Sequence, residues 1–476
     1  MKRVIKSIGL LLFFVLFITG CKVEIKYHDE DNSGDNEEEK TEEKQEDNKP
    51  EVEIIDGEIY CFVRNLNSVL KELDETKTYR IHIKDENPTF GAMKRALNNH
   101  EKIGVHLLLE LCTKLDVVPR SAFEECKSLL SIELPSQITK LNDYCFAWCS
   151  NLEECVLPAG LKTIGECAFY FTNLKKLDIP DTVEELKESC FAIQPSLTSI
   201  TIPDKVKKIP EECFYRNEKL VNIVLPKELE IIEAAAFCCC YELETIIIPD
   251  SVKEIHRGAF YECKKLSKLH LPANLEVMYA NVYEGCKSLS VLEFPKNVKY
   301  IGKLNISHTP VEEFTIPEGI SDLDRGCFSC CENLKKVNFI GDMANITELP
   351  EGCFVQCKSL KSFTIPEKVT KIDSSCFAFS DLKEVSFSEC LNEIGSSAFY
   401  NCDLSNVSIP VSVTKIGERA FYENKNLKRV TFEGTIEQFR VIIKNSSDDG
   451  MIHFLDTVTK AVDCTDGTIN IVPLEN

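Results

Sequence analysis

The chain has 476 residues, of which 43 % are hydrophobic and 28 % are charged. This composition is ordinary for a folded protein, and it excludes wholesale disorder and a multi-span membrane protein. The formal net charge of −22 repels phosphate backbones and anionic lipid surfaces, so we expect no nucleic-acid partner.

The first residues of the chain are typical of a secretory signal. Basic residues precede an apolar run from Ile8 to Ile18, which is too short to cross a hydrocarbon core about 30 Å thick as a helix. The run leads to Cys21 through two small residues, a pattern that resembles the bacterial lipobox. We therefore predict a signal peptide over 1–20, lipid attachment at Cys21 and export to the cell envelope. An ordinary signal peptide that ends near a cysteine is the alternative.

Residues 21–50 are predicted to form an acidic tether. The stretch from His28 to Glu51 holds twelve acidic residues and three lysines. Because it has almost nothing apolar to bury, we expect it to stay disordered. Some thirty flexible residues reach about 30 Å, which is enough to hold a folded domain clear of lipid headgroups.

The segment 51–104 is predicted to be a small α/β cap. Its patterns indicate strands at Glu58–Val63 and Thr78–Ile83, and a second helix from Thr89 to Asn98. A first helix is predicted behind Asn65 as its N-cap. Its apolar face consists of Leu66, Val69, Leu70 and Leu73.

One unit of mostly 22 or 23 residues then recurs over 105–433. A Leu follows the aromatic residue of each unit, and a Pro closes most units. Two irregularities predict bends or loops: Ile306 takes the aromatic slot of one unit, and three extra residues enter before Phe354. The aromatic slot is otherwise held by Phe123, Phe146, Phe169, Phe191, Phe214, Phe237, Phe260, Tyr283, Phe328, Phe354, Phe377, Phe399 and Phe421.

Each unit is interpreted as one coil of a solenoid. The alternation from Leu266 to Leu271 has the period-two pattern of a short strand with one buried face, and Pro272 ends it. Stacked coils would align these strands in a parallel sheet, while Ile255 and the turn at Phe260 form the opposite wall. About six buried side chains at roughly 1.5–3 kcal/mol each do not offset about 1–2 kcal/mol of backbone entropy for each of some 23 residues. Neighbouring coils must therefore share one interior.

The repeats resemble the BspA-like class of leucine-rich repeats. The segment Ser412-Val-Thr-Lys-Ile-Gly-Glu-Arg-Ala-Phe421 is a close match to its pattern, and the resemblance covers roughly Val105 to Phe432. It implies a leucine-rich-repeat solenoid of stacked coils of about 23 residues, with a parallel β-sheet and short helical turns. Members of this class are mostly extracellular or surface-attached and look like adhesins and host-interaction proteins, so the resemblance does not imply an enzyme.

The segment 434–476 is predicted to cap the other end of the solenoid. Thr435 to Gln438 fits a capping box that opens a helix. Downstream, Ala461–Cys464 and Thr468–Val472 flank Asp466-Gly467, a hairpin signal. An end cap is predicted here, and a ligand-binding addition is the alternative.

The 24 cysteines fall mostly at two slots of the repeat. Six stand just before the aromatic residue, where other units have Ala, so Cys is interpreted as a small apolar residue and structural thiols are predicted. A few disulfides between adjacent coils are one alternative. A metal site at Cys327 and Cys330, or at Cys238–Cys240, is another, although neither has a companion His. Eight stand three residues after the aromatic slot: Cys126, Cys149, Cys240, Cys263, Cys286, Cys331, Cys357 and Cys402.

The chain lacks the short motifs that carry catalytic chemistry. It has no HExxH zinc motif, no Gly-x-Ser-x-Gly elbow and no Gly-rich phosphate loop. We therefore expect no catalytic residue, metal, cofactor or small-molecule substrate.

The outward positions of the predicted strands form a broad surface. In its middle lie Val224, Thr245, Ile247, His270 and Val291. Exposed aliphatic residues on neighbouring coils often mark a contact site, so these five residues are the predicted ligand-binding patch. β-Forming residues that are merely tolerated on a sheet are the alternative. Elsewhere the outward residues are mostly small and polar: Glu133, Asp178, Thr201, Thr364, Ser386, Ser408 and Thr431.

These observations predict a surface-anchored bacterial lipoprotein that acts as a non-catalytic binding or adhesion scaffold. The expected partner is a protein of a host or of a neighbouring cell, and the membrane is contacted through the lipid anchor. A structural or cargo-capturing envelope lipoprotein without a host ligand is the alternative function.

Overall fold

Successive coils are joined by three sets of backbone hydrogen bonds, two between short strands and one between turns. The predicted signal peptide 1–20, Cys21 and the tether lie outside the residues that the structure describes. The structure is a computed structural model that describes residues 52–295, 298, 300–301, 306–316, 323–339, 346–446, 455 and 461–470.

The alternation in each coil forms a first row of parallel strands, whose outer surface we call the strand face. Neighbouring strands keep register, so Thr201 lies opposite Val224. Ile246 points into the core between the exposed residues Thr245 and Ile247. Within the repeats the described strands of this row are Leu129–Glu133, Glu154–Val156, Ser199–Thr201, Asn222–Val224, Thr245–Ile247, Lys268–His270, Glu313–Ile316, Lys336–Phe339, Ser362–Thr364, Glu384–Ser386, Val407–Ile409 and Arg429–Phe432.

A second row of two-residue strands forms the next side of each coil. Ile232 pairs in parallel with Ile255, and both side chains are buried. The sequence analysis expected an apolar wall here but not a second strand ladder. The described strands of this row are Val117–Val118, Lys140–Leu141, Thr163–Ile164, Glu185–Leu186, Lys208–Ile209, Ile231–Ile232, Glu254–Ile255, Val277–Met278, Tyr300–Ile301, Glu348–Leu349, Lys371–Ile372, Glu393–Ile394 and Lys415–Ile416.

The segment around each Phe, which we call the Phe turn, is built on left-handed residues. In the turn of Phe214, Glu212 and Arg216 have φ of 52° and 54°. The amides of these three residues donate to three carbonyls of the next coil at 3.0, 2.8 and 2.8 Å. A left-handed conformation costs an L-residue about 1–2 kcal/mol, and these bonds offset that cost. The predicted short helical turns are wrong at this point, because alternating backbone conformation gives bonds between coils rather than within a helix.

The interior is continuous because the aromatic rings of successive Phe turns stack. The ring centroids of Phe214 and Phe237 are 5.5 Å apart with planes 1° from parallel, and those of Phe237 and Phe260 are 5.3 Å apart. The stack continues to Tyr283. It is interrupted in the next coil, where Ile306 occupies the slot, as the irregular repeat predicted. Each coil therefore buries its largest side chain against its neighbours.

The N-terminal cap contains strands Val52–Ile55, Glu58–Cys61, Thr78–Ile83 and Gly104–Leu108 and helices Val63–Lys71 and Phe90–Asn99. The first strand, which the sequence analysis missed, forms a hairpin with the second. The predicted N-cap at Asn65 is wrong, because the helix begins at Val63 and the carboxylate of Asp85 accepts its amide at 2.7 Å. A partner 22 residues away is invisible to a local capping pattern.

The C-terminal cap contains helix Ile436–Ser446 and strands Ala461–Cys464 and Gly467–Asn470. The capping box is present: the Thr435 amide donates to Gln438 Oε1 at 2.8 Å, and the Gln438 amide donates to Thr435 Oγ1 at 3.3 Å. Residues 471–472 of the predicted second strand lie outside the described residues. Of the helices described, none has the length and apolar character that crossing a membrane requires.

Candidate functional site

The strand face places the five predicted patch residues in two adjacent rows. Val224, Ile247 and His270 occupy equivalent positions of three successive coils, since Thr201 pairs with Val224 and Ile247 with His270. Val224 and Ile247 are 57 % and 75 % exposed. The structure therefore brings two aliphatic side chains and one imidazole into a single line across the sheet.

The remaining two patch residues lie in the neighbouring row. Thr245 pairs with Lys268, and Val291 stands one repeat further along. Val291 is 64 % exposed, but the lysine separates it from Thr245. His270 in turn faces Asp250, with His270 Nε2 and Asp250 Oδ1 4.0 Å apart. The apolar part of the patch is therefore centred on Val224 and Ile247, with a polar margin.

An open groove of about 800 Å³ lies further along the strand face. Val337, Phe339 and Phe363 supply its apolar surface, and Lys335 and Lys336 are among its lining cations. The sequence analysis did not single it out. It falls beside the three extra residues that interrupt the repeat, which is the one sequence signal that could have drawn attention to it.

A second exposed apolar surface lies along the Phe turns, and we call it the turn-edge surface. It consists of Tyr144, Trp148, Tyr170, Phe171 and Ile193. The ring centroids of Tyr144 and Trp148 are 6.3 Å apart, and those of Trp148 and Tyr170 are 5.3 Å apart. Phe171 is 43 % exposed.

The backbone of the turn-edge surface is unusual for such large side chains. Trp148, Phe171 and Ile193 have φ of 58°, 54° and 58°, a region that bulky and β-branched residues rarely adopt. Aligning the position two residues after each Phe would have revealed this row from the sequence. Strain of this kind clusters at functional positions.

Carboxylates border the turn-edge surface. Tyr144 donates its hydroxyl proton to Glu166 at 2.5 Å. Burial raises the pKa of Glu188 and of Glu212, and repulsion from Glu211 raises both further. This arrangement provides aromatic faces beside closely spaced negative charge.

The repeat sequence matches one family model. Residues 116–241, 207–335, 258–380 and 347–460 match the BspA type leucine rich repeat region. The chain belongs to this family. The match confirms the resemblance drawn from the repeats and the leucine-rich-repeat solenoid fold.

Solved structures share the BspA-type solenoid. A leucine-rich repeat protein from Bacteroides ovatus is similar with a TM-score of 0.55 and 22 % identity, over 74 % of this chain and 87 % of that one. A leucine rich cell surface protein from Faecalibacterium prausnitzii gives a TM-score of 0.43 and 25 % identity, over 69 % and 86 %. A leucine-rich repeat protein from Eubacterium ventriosum gives 0.36 and 19 %, over 75 % and 92 %. No curated protein matches the chain.

Cysteines occupy two different environments in the BspA-type coil. Just before the Phe, Cys376 is buried where the next coil has Ala398, in agreement with a small apolar role. Three residues after the Phe, the thiol donates to the Phe carbonyl of the preceding coil, as Cys240 does to Phe214 at 3.2 Å. This slot is therefore a hydrogen-bonding position, which explains why Thr, Asn and Ser take it in other coils.

The two cysteine groups with metal-like spacing do not form metal sites among the described residues, where no group of three or more His, Cys, Asp or Glu could hold a metal ion. Cys327 points into the core, with its sulfur 3.5 Å from that of Cys353, whereas Cys330 lies on the solvent side. In the other group, Cys240 is buried and Cys239 is partly exposed. Alternating left-handed backbone sends neighbouring side chains to opposite sides.

A buried histidine in the N-terminal cap was not singled out by the sequence. His82 Nδ1 lies 2.5 Å from Glu110 Oε1, and Nε2 lies 2.5 Å from Glu58 Oε2. Its ring stacks on Tyr60 with centroids 4.0 Å apart. Because both ring nitrogens are engaged by carboxylates, the histidine ties together the first strands rather than presenting a ligand site.

Proposed function

We propose that the chain is a surface-anchored bacterial lipoprotein whose BspA-type solenoid binds a protein partner without catalysis. Repeat scaffolds provide broad surfaces rather than enclosed sites. The lipobox-like sequence at Cys21 supports anchoring, and the acidic segment 21–50 supports display away from the membrane. The partner is a protein of a host or of a neighbouring cell.

The exposed pair Val224 and Ile247 carries the proposal. Two aliphatic side chains on adjacent coils offer apolar area that water solvates poorly, and a partner that covers them gains about 25 cal/mol per Å². His270 and Lys268 supply a polar margin beside them. A small apolar centre with a polar rim is typical of contact surfaces between proteins.

The turn-edge surface is a second contact candidate. Trp and Tyr residues contribute much of the binding energy in protein interfaces. The carboxylates of Glu166, Glu188 and Glu211 beside Trp148 favour a partner segment rich in Lys or Arg, because aromatic faces and carboxylates both attract cations.

The experiment compares two double variants of the full chain. Val224→Asp/Ile247→Asp disrupts the patch, and Thr364→Asp/Ser386→Asp adds the same charge elsewhere on the strand face. Binding of the purified, fluorescently labelled proteins to candidate partner cells is measured by flow cytometry. We expect the patch variant to lose at least about tenfold in affinity and the control to bind like the wild type. Equal binding by both variants would exclude the patch.

The alternative is a structural or cargo-capturing lipoprotein of the envelope without a host ligand. Protease added to intact cells distinguishes the two locations, since a displayed solenoid is digested and an enclosed one is protected. Labelled fatty acid tests the anchor separately. Incorporation that is lost in Cys21→Ser supports lipidation, and incorporation that persists contradicts it.

A further inference from the structure

One cysteine differs from the rest in its surroundings. Cys330 stands two residues after Phe328, at the outer left-handed position of the Phe turn, with φ 58°. The same position holds His308 in the preceding coil and Gln356 in the following coil, with φ 59° and 58°. The inter-coil ladder fixes this row, because the His308 amide donates to Ser329 O at 3.1 Å.

The thiol of Cys330 has polar partners on three sides. It shares a side-chain hydrogen bond with His308. The thiol donates to Gln356 Oε1 at 3.4 Å, and Ser329 Oγ lies 3.6 Å from the sulfur. Cys330 is partly exposed, whereas the cysteines of the two structural slots are buried.

The imidazole beside the thiol is held by its own partners. Ser307 Oγ lies 2.8 Å from His308 Nδ1. The hydrogen bond to Cys330 raises the pKa of His308, and the carboxylates of Glu284 and Glu262 raise it further while burial opposes them.

The same hydrogen bond lowers the pKa of the Cys330 thiol, against the opposing effect of its burial. The nearby carboxylate of Glu332 also opposes the shift. By contrast, burial raises the pKa of Cys331, the next residue, to about 12. A thiolate rather than a thiol is the nucleophile in cysteine chemistry. Two adjacent cysteines are therefore set apart by environment, one inert and one activated.

We propose that Cys330 is a thiol–disulfide exchange site for low-molecular-weight disulfides, with His308 as the residue that accepts its proton. The Cys330 sulfur attacks one sulfur of the external disulfide, a new S–S bond forms and the original S–S bond breaks. The departing thiolate takes up the proton held by His308. The products are a mixed disulfide at Cys330 and one free small thiol, so the external disulfide is the oxidant.

The surroundings also select among disulfides. Because the sulfur lies partly buried between two coils, a small molecule reaches it more readily than a folded protein does. The carboxylates of Glu262, Glu284 and Glu332 disfavour an anionic reagent. We therefore expect cystamine to react faster than glutathione disulfide.

The first test uses the reduced full chain and compares Cys330 with Cys390, which is exposed. For Cys390, the described residues provide no hydrogen bond to an imidazole. Short pulses of iodoacetamide from pH 6 to pH 9, followed by peptide mass mapping, give the rate at each cysteine. We expect Cys330 to react at least about fivefold faster than Cys390 at pH 7. We also expect its pH profile to be displaced to lower pH. Equal rates and superimposed profiles would overturn the proposal.

Variants separate the proton acceptor from simple exposure. His308→Asn keeps a residue type that tolerates the left-handed conformation, and we expect it to bring the Cys330 rate close to that of Cys390. Cystamine should add one mixed disulfide to the wild type under mild conditions and none to Cys330→Ser. An unchanged Cys330 rate in His308→Asn, or cystamine modification that persists in Cys330→Ser, would contradict the assignment.

Discussion

The strand face and the Phe turn are built from the same coils but restrict the sequence very differently. On the strand face only the inward residue of each strand is constrained, so Thr245 and Ile247 flank Ile246 without being fixed by it. In the Phe turn nearly every position has a required property: left-handed backbone, a small side chain, a ring, and a hydrogen-bond donor. The difference suggests that the turns maintain the solenoid while the strand face is free to vary for binding.

The largest expected effect separates the core of the turn from the outer strand positions. Phe237→Ala removes a fully buried ring that stacks on both neighbours, and we expect it to lower the free energy of unfolding by about 3–5 kcal/mol. Ile247→Ala on the strand face should change it by no more than about 0.5 kcal/mol. Denaturant unfolding measures both, and similar losses in the two variants would break the comparison.

A smaller effect separates the two cysteine slots of the turn. Cys376→Ser buries a hydroxyl for which the described residues provide no hydrogen-bond partner, and we expect it to cost about 1–3 kcal/mol. Cys240→Ser places its hydroxyl near the Phe214 carbonyl, which already accepts the thiol, and should cost less than about 1 kcal/mol. Thermal unfolding in reducing buffer tests this order, and the reverse order would show that the slots have been misassigned.

The smallest expected effect concerns charge at the turn-edge surface. Folding raises the pKa of Glu212, chiefly by burial, so ionisation of this carboxyl opposes folding at neutral pH. Glu212→Gln should therefore gain a fraction of about 1 kcal/mol at pH 7. The gain should fade as pH falls through the folded pKa and vanish below about 4.3, where the unfolded carboxyl is also protonated.

Glu228→Gln is the matched control for that measurement. The hydrogen bond from Lys207 lowers the pKa of Glu228, so its ionisation favours folding and its replacement should give no gain at pH 7. Chemical unfolding at pH 4 and pH 7 tests both variants. A gain of equal size at the two pH values in Glu212→Gln would rule out titration as its cause.

The repeat and its shared interior could be predicted from the sequence because their signals are local and recur. The two-residue alternation and the spacing of residues such as Phe237 and Leu243 gave the coil, the inward side and the family. The capping box at Thr435 succeeded for the same reason, since its partners are three residues apart.

Features that depend on contact between coils could not be predicted in this way. The Asp85 cap on the first helix and the pairing of His308 with Cys330 join residues about one repeat apart. The left-handed turn was also hidden, because Trp148 and Ile193 are residue types that rarely adopt that backbone. Alignment of the coils by the Phe would have brought the His–Cys pair together, although not its hydrogen bond.

The central claim is that no coil is stable alone and that each depends on its neighbours through one continuous interior. Hydrogen–deuterium exchange of Phe237→Ala tests it most directly. We expect amide protection to fall most in the coil of Phe237, less in the coils of Phe214 and Phe260, and little in the distant coil of Phe399. Loss confined to the mutated coil would contradict the account, because it would mean that each coil is stable by itself.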